Sequence, residues 1–298
     1  MMMKGRKKMI SPNKNKYPSG LCFVLILLTT FSITTCSTHT SSPKSDGEYS
    51  FVVYGDLRQG FGVYEKLARN MGNIKPVPLM AVCTGDLLFK AGKEAEWINF
   101  WKFSKPITEV MPLLIARGNH EGNDLPSEWL LRKQTNIAEG DPFYFSRQLE
   151  KQKLIILDTE IRGEENAIIN DQLHWLKEEL NLSTSNAEID GIFIFMHRPL
   201  YRQGRNKGQK LKNAEELHQL FVEHKKIKAV VAGHDHMYHF QNKDGINYVI
   251  SGGAGAQLRH GYGGDFYHYI KFSFSDTDKS VNMKTIGLFN EIMEEKNL

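Results

Sequence analysis

Residues 229–236 read Ala-Val-Val-Ala-Gly-His-Asp-His: four small apolar residues that stop at a glycine, then two histidines one residue apart. A short continuous apolar run of this kind suits a strand buried on both faces. Comparable runs occur at Ser50–Tyr54, Leu79–Cys83, Leu113–Ala116, Leu154–Leu157, Ile192–Met196 and Tyr248–Ile250, making seven with Ala229–Ala232. Between them, Val63–Met71, Glu94–Phe103, Asp171–Leu180 and Ala214–His224 have helical spacing and length. Such an alternation predicts an α/β domain with a largely parallel or mixed central sheet. Five of the seven runs end in a turn bearing a potential metal ligand: Gly55-Asp56, Gly85-Asp86, Gly118-Asn119-His120, His197 and Gly233-His234-Asp235-His236. In open α/β sheets, functional groups gather beyond the carboxyl ends of the strands, so ligands far apart in sequence can converge there.

The formal charge of +4 is concentrated at one end. Lys4, Arg6, Lys7, Lys8, Lys14 and Lys16 precede the first acid, Asp46; without residues 1–35 the chain has 32 basic and 34 acidic residues, a net of −2. That balance lacks the basic excess of a dedicated nucleic-acid binder. The basic head is followed by an apolar run from Leu21 to Ile33, the length of a secretory h-region and shorter than the ~20 residues of a membrane-spanning helix. The text Ile33-Thr34-Thr35-Cys36-Ser37 resembles a bacterial lipoprotein cleavage site, with Thr35 a departure from the small residues usual there. Residues 1–35 are therefore expected to be a signal peptide and 36–48 a tether lipidated on Cys36. An uncleaved signal anchor is the competing reading. The expected location is the bacterial cell envelope, with a membrane partner through the lipid. Cys83 is the one cysteine left in the body, within an apolar run that marks it as a packed thiol.

Asp56, Asp86, Asn119, His197, His234 and His236 form an oxygen-and-nitrogen donor set without thiolate. Mn, Fe and Zn all suit it. Two such cations about 3.5–4 Å apart can activate a bridging water and clamp phosphoryl oxygens, provided one carboxylate bridges them.

Taken in order, Gly55-Asp56, Gly85-Asp86, Gly118-Asn119-His120-Glu121, His197 and Gly233-His234-Asp235-His236 resemble the calcineurin-like metallophosphoesterase signature. Asp171-Gln172-Leu173-His174-Trp175-Leu176 and Gly252-Gly253-Ala254-Gly255-Ala256 are similar to segments of its purple-acid-phosphatase-like branch. The resemblance spans about residues 50–272. It implies a four-layer αββα sandwich, two mixed sheets flanked by helices, over a domain at 49–275, with a C-terminal strand and polar tail at 276–298. By the same resemblance Asp86 bridges two metals, divalent or mixed-valence. Asn119, His197 and His234 complete one site, and Asp56 and His236 serve the other. His120 hydrogen-bonds substrate and acts as general acid, and a small phosphorylated molecule is the substrate.

This chain departs from that pattern at two positions. The family commonly has Asp-x-His in its first block, where this chain has Asp56-Leu57-Arg58, and a guanidinium has no lone pair to offer a metal. The purple acid phosphatases supply a Tyr three residues after the second-block Asp, where this chain has Phe89. The Asp56/His236 metal is thus expected to be weakly held, completed by water or absent, and Arg58 to grip a phosphate oxygen, with a structural salt bridge as the competing reading. That expectation assumes the strand pattern runs on past Asp56, which would point both side chains the same way. Tyr201 and Arg202 are expected at the substrate mouth. The competing function is a non-catalytic module that keeps the fold and binds a phosphorylated ligand or partner.

Overall fold

A computed structural model describes residues 48–275 and 277–298. The proposed signal peptide, Cys36 and almost all of the tether lie outside the described residues. No helix among the described residues is long and apolar enough to cross a membrane.

Among the described residues, twelve strands form two six-stranded sheets. The first takes the order β12 (Ile292–Asn297), β11 (Val281–Gly287), β10 (His268–Ser275), β1 (Glu48–Tyr54), β2 (Met80–Cys83) and β3 (Leu113–Ile115). The second runs β4 (Phe145–Leu149), β5 (Gln152–Ile156), β6 (Gly191–Met196), β7 (Ile227–Ala232), β9 (Ile246–Ser251) and β8 (Tyr238–Lys243). Pairing is parallel for β1–β2, β2–β3, β5–β6, β6–β7 and β7–β9, and antiparallel at the flanks of each sheet. Both sheets are therefore mixed. Helices α1 (Phe61–Gly72), α2 (Glu94–Thr108) and α3 (Leu125–Thr135) belong to the first half of the chain, and α4 (Asn170–Ser185) and α5 (Ala214–Glu223) to the second.

Period-two alternation along buried strands builds the layers. In β1, Phe51 and Val53 enter the core between the sheets, while Val52 and Tyr54 turn to the core shared with Leu67, Met71, Trp97 and Phe100 of α1 and α2. In β6, Phe193 and Phe195 enter the inter-sheet core, and Ile192, Ile194 and Met196 pack with Leu176 and Leu180 of α4 and Leu217 and Phe221 of α5. Three apolar layers thus separate four structural ones, the expected αββα sandwich. Phe51, Phe193, Phe272 and Phe274 meet at ring centroid separations of 5.0 to 5.5 Å, and each such buried ring contributes roughly 2–3 kcal/mol.

The seven apolar runs correspond to β1, β2, β3, β5, β6, β7 and β9, and the four helical stretches to α1, α2, α4 and α5. The segment at 276–298 differs from the expected strand and tail: β11 and β12 both pair into the first sheet. Its acidic end is the edge strand β12, where Glu295 meets Lys284 at 3.2 Å and Glu294 accepts a short hydrogen bond from Tyr238. Alternation there is polar on one face, so composition alone reads as a solvated tail.

His268 opens β10 fully buried, its Nδ1 facing the Phe266 carbonyl at 3.0 Å and its Nε2 facing Ser251 Oγ at 3.2 Å. Burial pushes this imidazole down to about 4 from its ordinary 6.5. Below the ordinary value the unfolded chain takes a proton that the folded chain refuses. His268 should therefore cost stability as pH falls from about 6.5 to about 4, by up to about 3 kcal/mol. Urea unfolding at pH 7 and pH 4.5 checks this: His268→Gln should lose less stability between the two pH values than the native chain. Equal losses would assign the acid sensitivity elsewhere.

Candidate active site

The parallel strands deliver their carboxyl ends to one edge of the sandwich. Asp56 follows β1, Asp86 follows β2, Asn119 and His120 follow β3, His197 follows β6, and His234 and His236 follow β7. Asp56, Arg58, Asp86 and His234 hold φ values of 60°, 33°, 56° and 69°, a left-handed conformation that costs non-glycine residues energy. Glycines make the convergence possible. A Cβ on Gly118 would stand 2.3 Å from the Asp86 nitrogen, and one on Gly233 would stand 2.3 Å from Asp56 Oδ2. Two carboxylates and their ligand loops are thus packed against bare backbone.

The side chains fall into two groups that could each hold a metal ion: Asp86, His197 and His234, and Asp56, Asp86 and His236. Asp86 belongs to both. His197 Nδ1 faces the Thr84 carbonyl at 2.9 Å, and His236 Nδ1 faces the Gln257 carbonyl at 2.9 Å. A carbonyl can only accept, so in each ring Nδ1 carries the proton and Nε2 presents a bare lone pair. His197 Nε2 lies 3.0 Å from Asn119 Oδ1, 3.0 Å from His234 Nδ1 and 3.3 Å from Asp86 Oδ1. Four donor atoms meeting at one point suit a cation better than any set of protons. The second group carries its own mark. Asp56 Oδ2 accepts from the His234 N–H at 2.8 Å, but Asp56 Oδ1 is buried without a hydrogen-bond partner, 3.5 Å from His236 Nε2. An orphaned buried carboxylate oxygen is costly unless a cation meets it.

The electrostatics agree. Burial, then the neighbouring Asp86 charge, raise the Asp56 carboxyl well above the usual carboxylate range. Burial, then His197 and Arg198, hold His234 neutral, and burial with Arg58 pushes His236 down to about 4. Both imidazoles keep their lone pairs at neutral pH. Divalent ions would remove the repulsion between the carboxylates and use the neutral rings as ligands.

The two loops carrying Asp86 and Asn119 are tied together by Glu121. Its buried carboxylate accepts from the backbone N–H groups of Gly118 at 2.7 Å, Asp86 at 2.9 Å, Leu87 at 2.8 Å and Leu88 at 3.2 Å. Burial and the Asp86 charge push this carboxyl up to about 8, with those donors opposing the rise. In the sequence Glu121 closes the Gly-Asn-His-Glu block without a role that its residue type alone reveals. Its position, fixed one residue after His120, was the available signal.

Around the metal groups lies a cleft of about 210 Å³ lined by Arg58, Asp86, Asn119, His120, Arg202, His234, His236 and Arg259. Arg58 donates to His120 Nε2 at 2.5 Å and to His236 Nε2 at 2.9 Å, and its Nε stands 3.9 Å from Asp86. It therefore occupies the ligand-side lone pair of His236. The strand pattern expected to deliver it does not extend so far: β1 ends at Tyr54, and a left-handed turn through Asp56 and Arg58 brings the guanidinium in. His120 Nδ1 faces the Phe89 carbonyl at 2.8 Å, and its ring stacks on the exposed Phe89 ring at 6.2 Å. Arg202 lines the same cleft, held by Asp235 at 2.5 Å. Tyr201 does not line the cleft. Its ring packs against Tyr248 and its hydroxyl meets Glu215 and Lys243, where the chain turns away after Leu200. Arg198, paired with Glu160 at 2.6 Å and 3.3 Å from His234 Nε2, steadies that imidazole from behind.

The four-layer αββα sandwich thus carries at its strand ends two adjoining Asp/His groups, each able to hold a metal ion. Comparison with known proteins narrows the class. The sequence profile of the calcineurin-like phosphoesterases matches residues 49–238. Purple acid phosphatase 23 of Arabidopsis thaliana is 24% identical over 290 residues, 94% of this chain and 60% of the relative. The chain spans about half the length of the curated relatives it matches, from 38% to 60%. The purple acid phosphatase isolated from yellow lupin (Lupinus luteus) seeds superposes with a TM-score of 0.68 at 17% identity, covering 86% of this chain and 54% of that one. A dimetal phosphatase from Danio rerio superposes with a TM-score of 0.63 at 14% identity, covering 84% of this chain and 98% of that one. The chain belongs to the calcineurin-like phosphoesterase family.

If the Glu121 carboxylate sets the spacing of the two loops, an amide in its place must turn N–H groups toward N–H donors. Glu121→Gln should lower unfolding stability by about 3 kcal/mol and reduce bound metal. Denaturant titration with elemental analysis reads both. Native stability together with full metal content would remove Glu121 from its structural role.

Proposed function

We propose that this chain is a metal-dependent hydrolase of phosphate esters whose two cations share the Asp86 carboxylate. The observation that carries the reading is the common membership of Asp86 in both ligand groups, beside the orphaned oxygen of Asp56. Asn119, His197 and His234 would complete one site; Asp56 and His236 would serve the other. Mn, Fe and Zn all suit such donors. When bound, the cations supply a nucleophilic water near neutral pH and neutralise charge on the phosphoryl group.

The chain's own residues then orient and protonate. Arg58 faces two demands that it cannot meet at once, because His236 Nε2 cannot accept from a guanidinium and ligate a cation. With a cation held by Asp56 and His236, Arg58 would turn outward, where its planar fork could meet a phosphate oxygen. The same movement frees His120 Nε2, which now accepts from Arg58 at 2.5 Å. The Phe89 carbonyl fixes the ring through Nδ1, so Nε2 is the atom that carries a proton to the departing oxygen. Water would attack phosphorus as the ester P–O bond breaks; the proton on His120 Nε2 passes to the alcohol product, and the proton lost by the water goes to solvent, from which His120 is reprotonated. Asp235 and Glu160 hold Arg202 and Arg198 in place through the cycle.

Asp86→Ala removes a ligand from both sites and should lower kcat/KM on phosphate esters by roughly a thousandfold or more, with metal content falling in parallel. His120→Ala should keep its metals and slow an alkyl phosphate by roughly 10²–10⁴, with far less effect on an aryl phosphate whose phenolate leaves unaided. Equal slowing of both esters would make His120 a substrate-orienting group. A metal-loaded chain inactive on monoesters and diesters alike would favour the non-catalytic binding module.

A further inference from the structure

Each arginine near the cleft has a partner except one. Arg58 meets His120, His236 and Asp86; Arg198 meets Glu160; Arg202 meets Asp235. Arg259 lines the cleft and is only partly exposed. Among the described residues its guanidinium has no carboxylate at ion-pair distance and no hydrogen-bond acceptor. Its backbone is fixed, since the Arg259 N–H donates to the His236 carbonyl at 2.9 Å and the Ala256 N–H to the Asp56 carbonyl at 2.7 Å. The loop after β9 therefore holds an unspent cation toward the metal groups. A part-buried guanidinium without a partner loses hydration and stabilises nothing in the fold. It is placed to meet an anion that comes from outside.

The scissile phosphate does not need it. On the reading under Proposed function, the three non-bridging oxygens of that phosphate already have partners in two cations and Arg58. Arg202 also has a group to spare, because Asp235 engages its Nε and Nη2 and leaves Nη1. We propose that Arg259, assisted by Arg202, binds a second oxyanion on the substrate and so selects phosphate esters whose alcohol portion carries its own negative charge, a carboxylate or a further phosphate. Asp86 is the one carboxylate lining the cleft against Arg58, Arg202 and Arg259, which gives the mouth the matching charge. This selection rests on the hydrolase reading for its second anion to be a leaving-group feature, but the binding itself does not require turnover.

Two matched pairs of compounds test it on the full chain with manganese supplied. Phosphonoacetate and ethylphosphonate resist hydrolysis and differ by one carboxylate. By calorimetry the native chain should bind phosphonoacetate roughly ten- to a hundredfold more tightly, the worth of one charge-assisted contact. Arg259→Gln should bring that ratio to within about threefold while leaving ethylphosphonate affinity alone, and Arg259→Lys should keep part of it. In hydrolysis, 3-phosphoglycerate should exceed glycerol 3-phosphate in kcat/KM, with the advantage lost in Arg259→Gln. No preference in the native chain, no binding of either phosphonate, or a preference unchanged in Arg259→Gln would overturn the assignment. Selective binding without hydrolysis of either ester would sink the hydrolase reading and leave the second-anion site standing; hydrolysis of both with an unchanged ratio would do the reverse.

Discussion

Four backbone N–H groups, from Asp86, Leu87, Leu88 and Gly118, point at one buried carboxylate, that of Glu121. The strands β2 and β3 pair through only a few residues, Ala81–Cys83 against Leu113–Ile115, so sheet hydrogen bonds alone leave the loops beyond them free to diverge. Glu121 closes that gap by giving both loops a single acceptor. The Asp86 carboxylate then receives the His120 N–H at 3.0 Å, and Asn119 comes within reach of His197 on the other sheet. Geometry at the cleft is thus inherited from a buried carboxyl group that does not itself line the cleft.

That arrangement has an electrostatic consequence. Burial beside Asp86 raises the Asp56 and Glu121 carboxyls above the usual carboxylate range, and the backbone donors offset only part of the rise. Arg58 supplies one positive charge, held against His120 and His236. A guanidinium in the cleft and a cation on His236 are alternative ways of meeting the same carboxylates. On the proposed function, the departure from the family pattern at Arg58 would give the site two charge states with different positions for one side chain. The left-handed backbone at Asp56, Arg58, Asp86 and His234 shows that the fold accepts local strain to keep these groups converged.

Much of this was legible in the residues. Apolar runs buried on both faces have a simple signature, and a glycine followed by a ligand marks where each ends. Hence the central strands, four of the helices and the six metal-ligand candidates could be read directly. Edge elements could not. The strands β4 and β8 and the helix α3 alternate only partly, and β12 carries charges on its exposed face, so tertiary pairing rather than local pattern decides them. At the cleft, Arg259 sits in a glycine-rich loop whose path no periodicity reveals. Tyr201 went the other way: its nearness to His197 in sequence suggested the mouth, but packing against Tyr248 and His218 takes it to a separate core.

Hydrolysis as proposed depends on Asp86 lying between two cations. Anomalous difference maps from crystals of the chain grown with manganese would locate them directly. On that mechanism two peaks should flank the Asp86 carboxylate, one among Asn119, His197 and His234, the other between Asp56 and His236 with Arg58 turned away. A single peak with Arg58 still on His236, or metal bound away from Asp86, would contradict it.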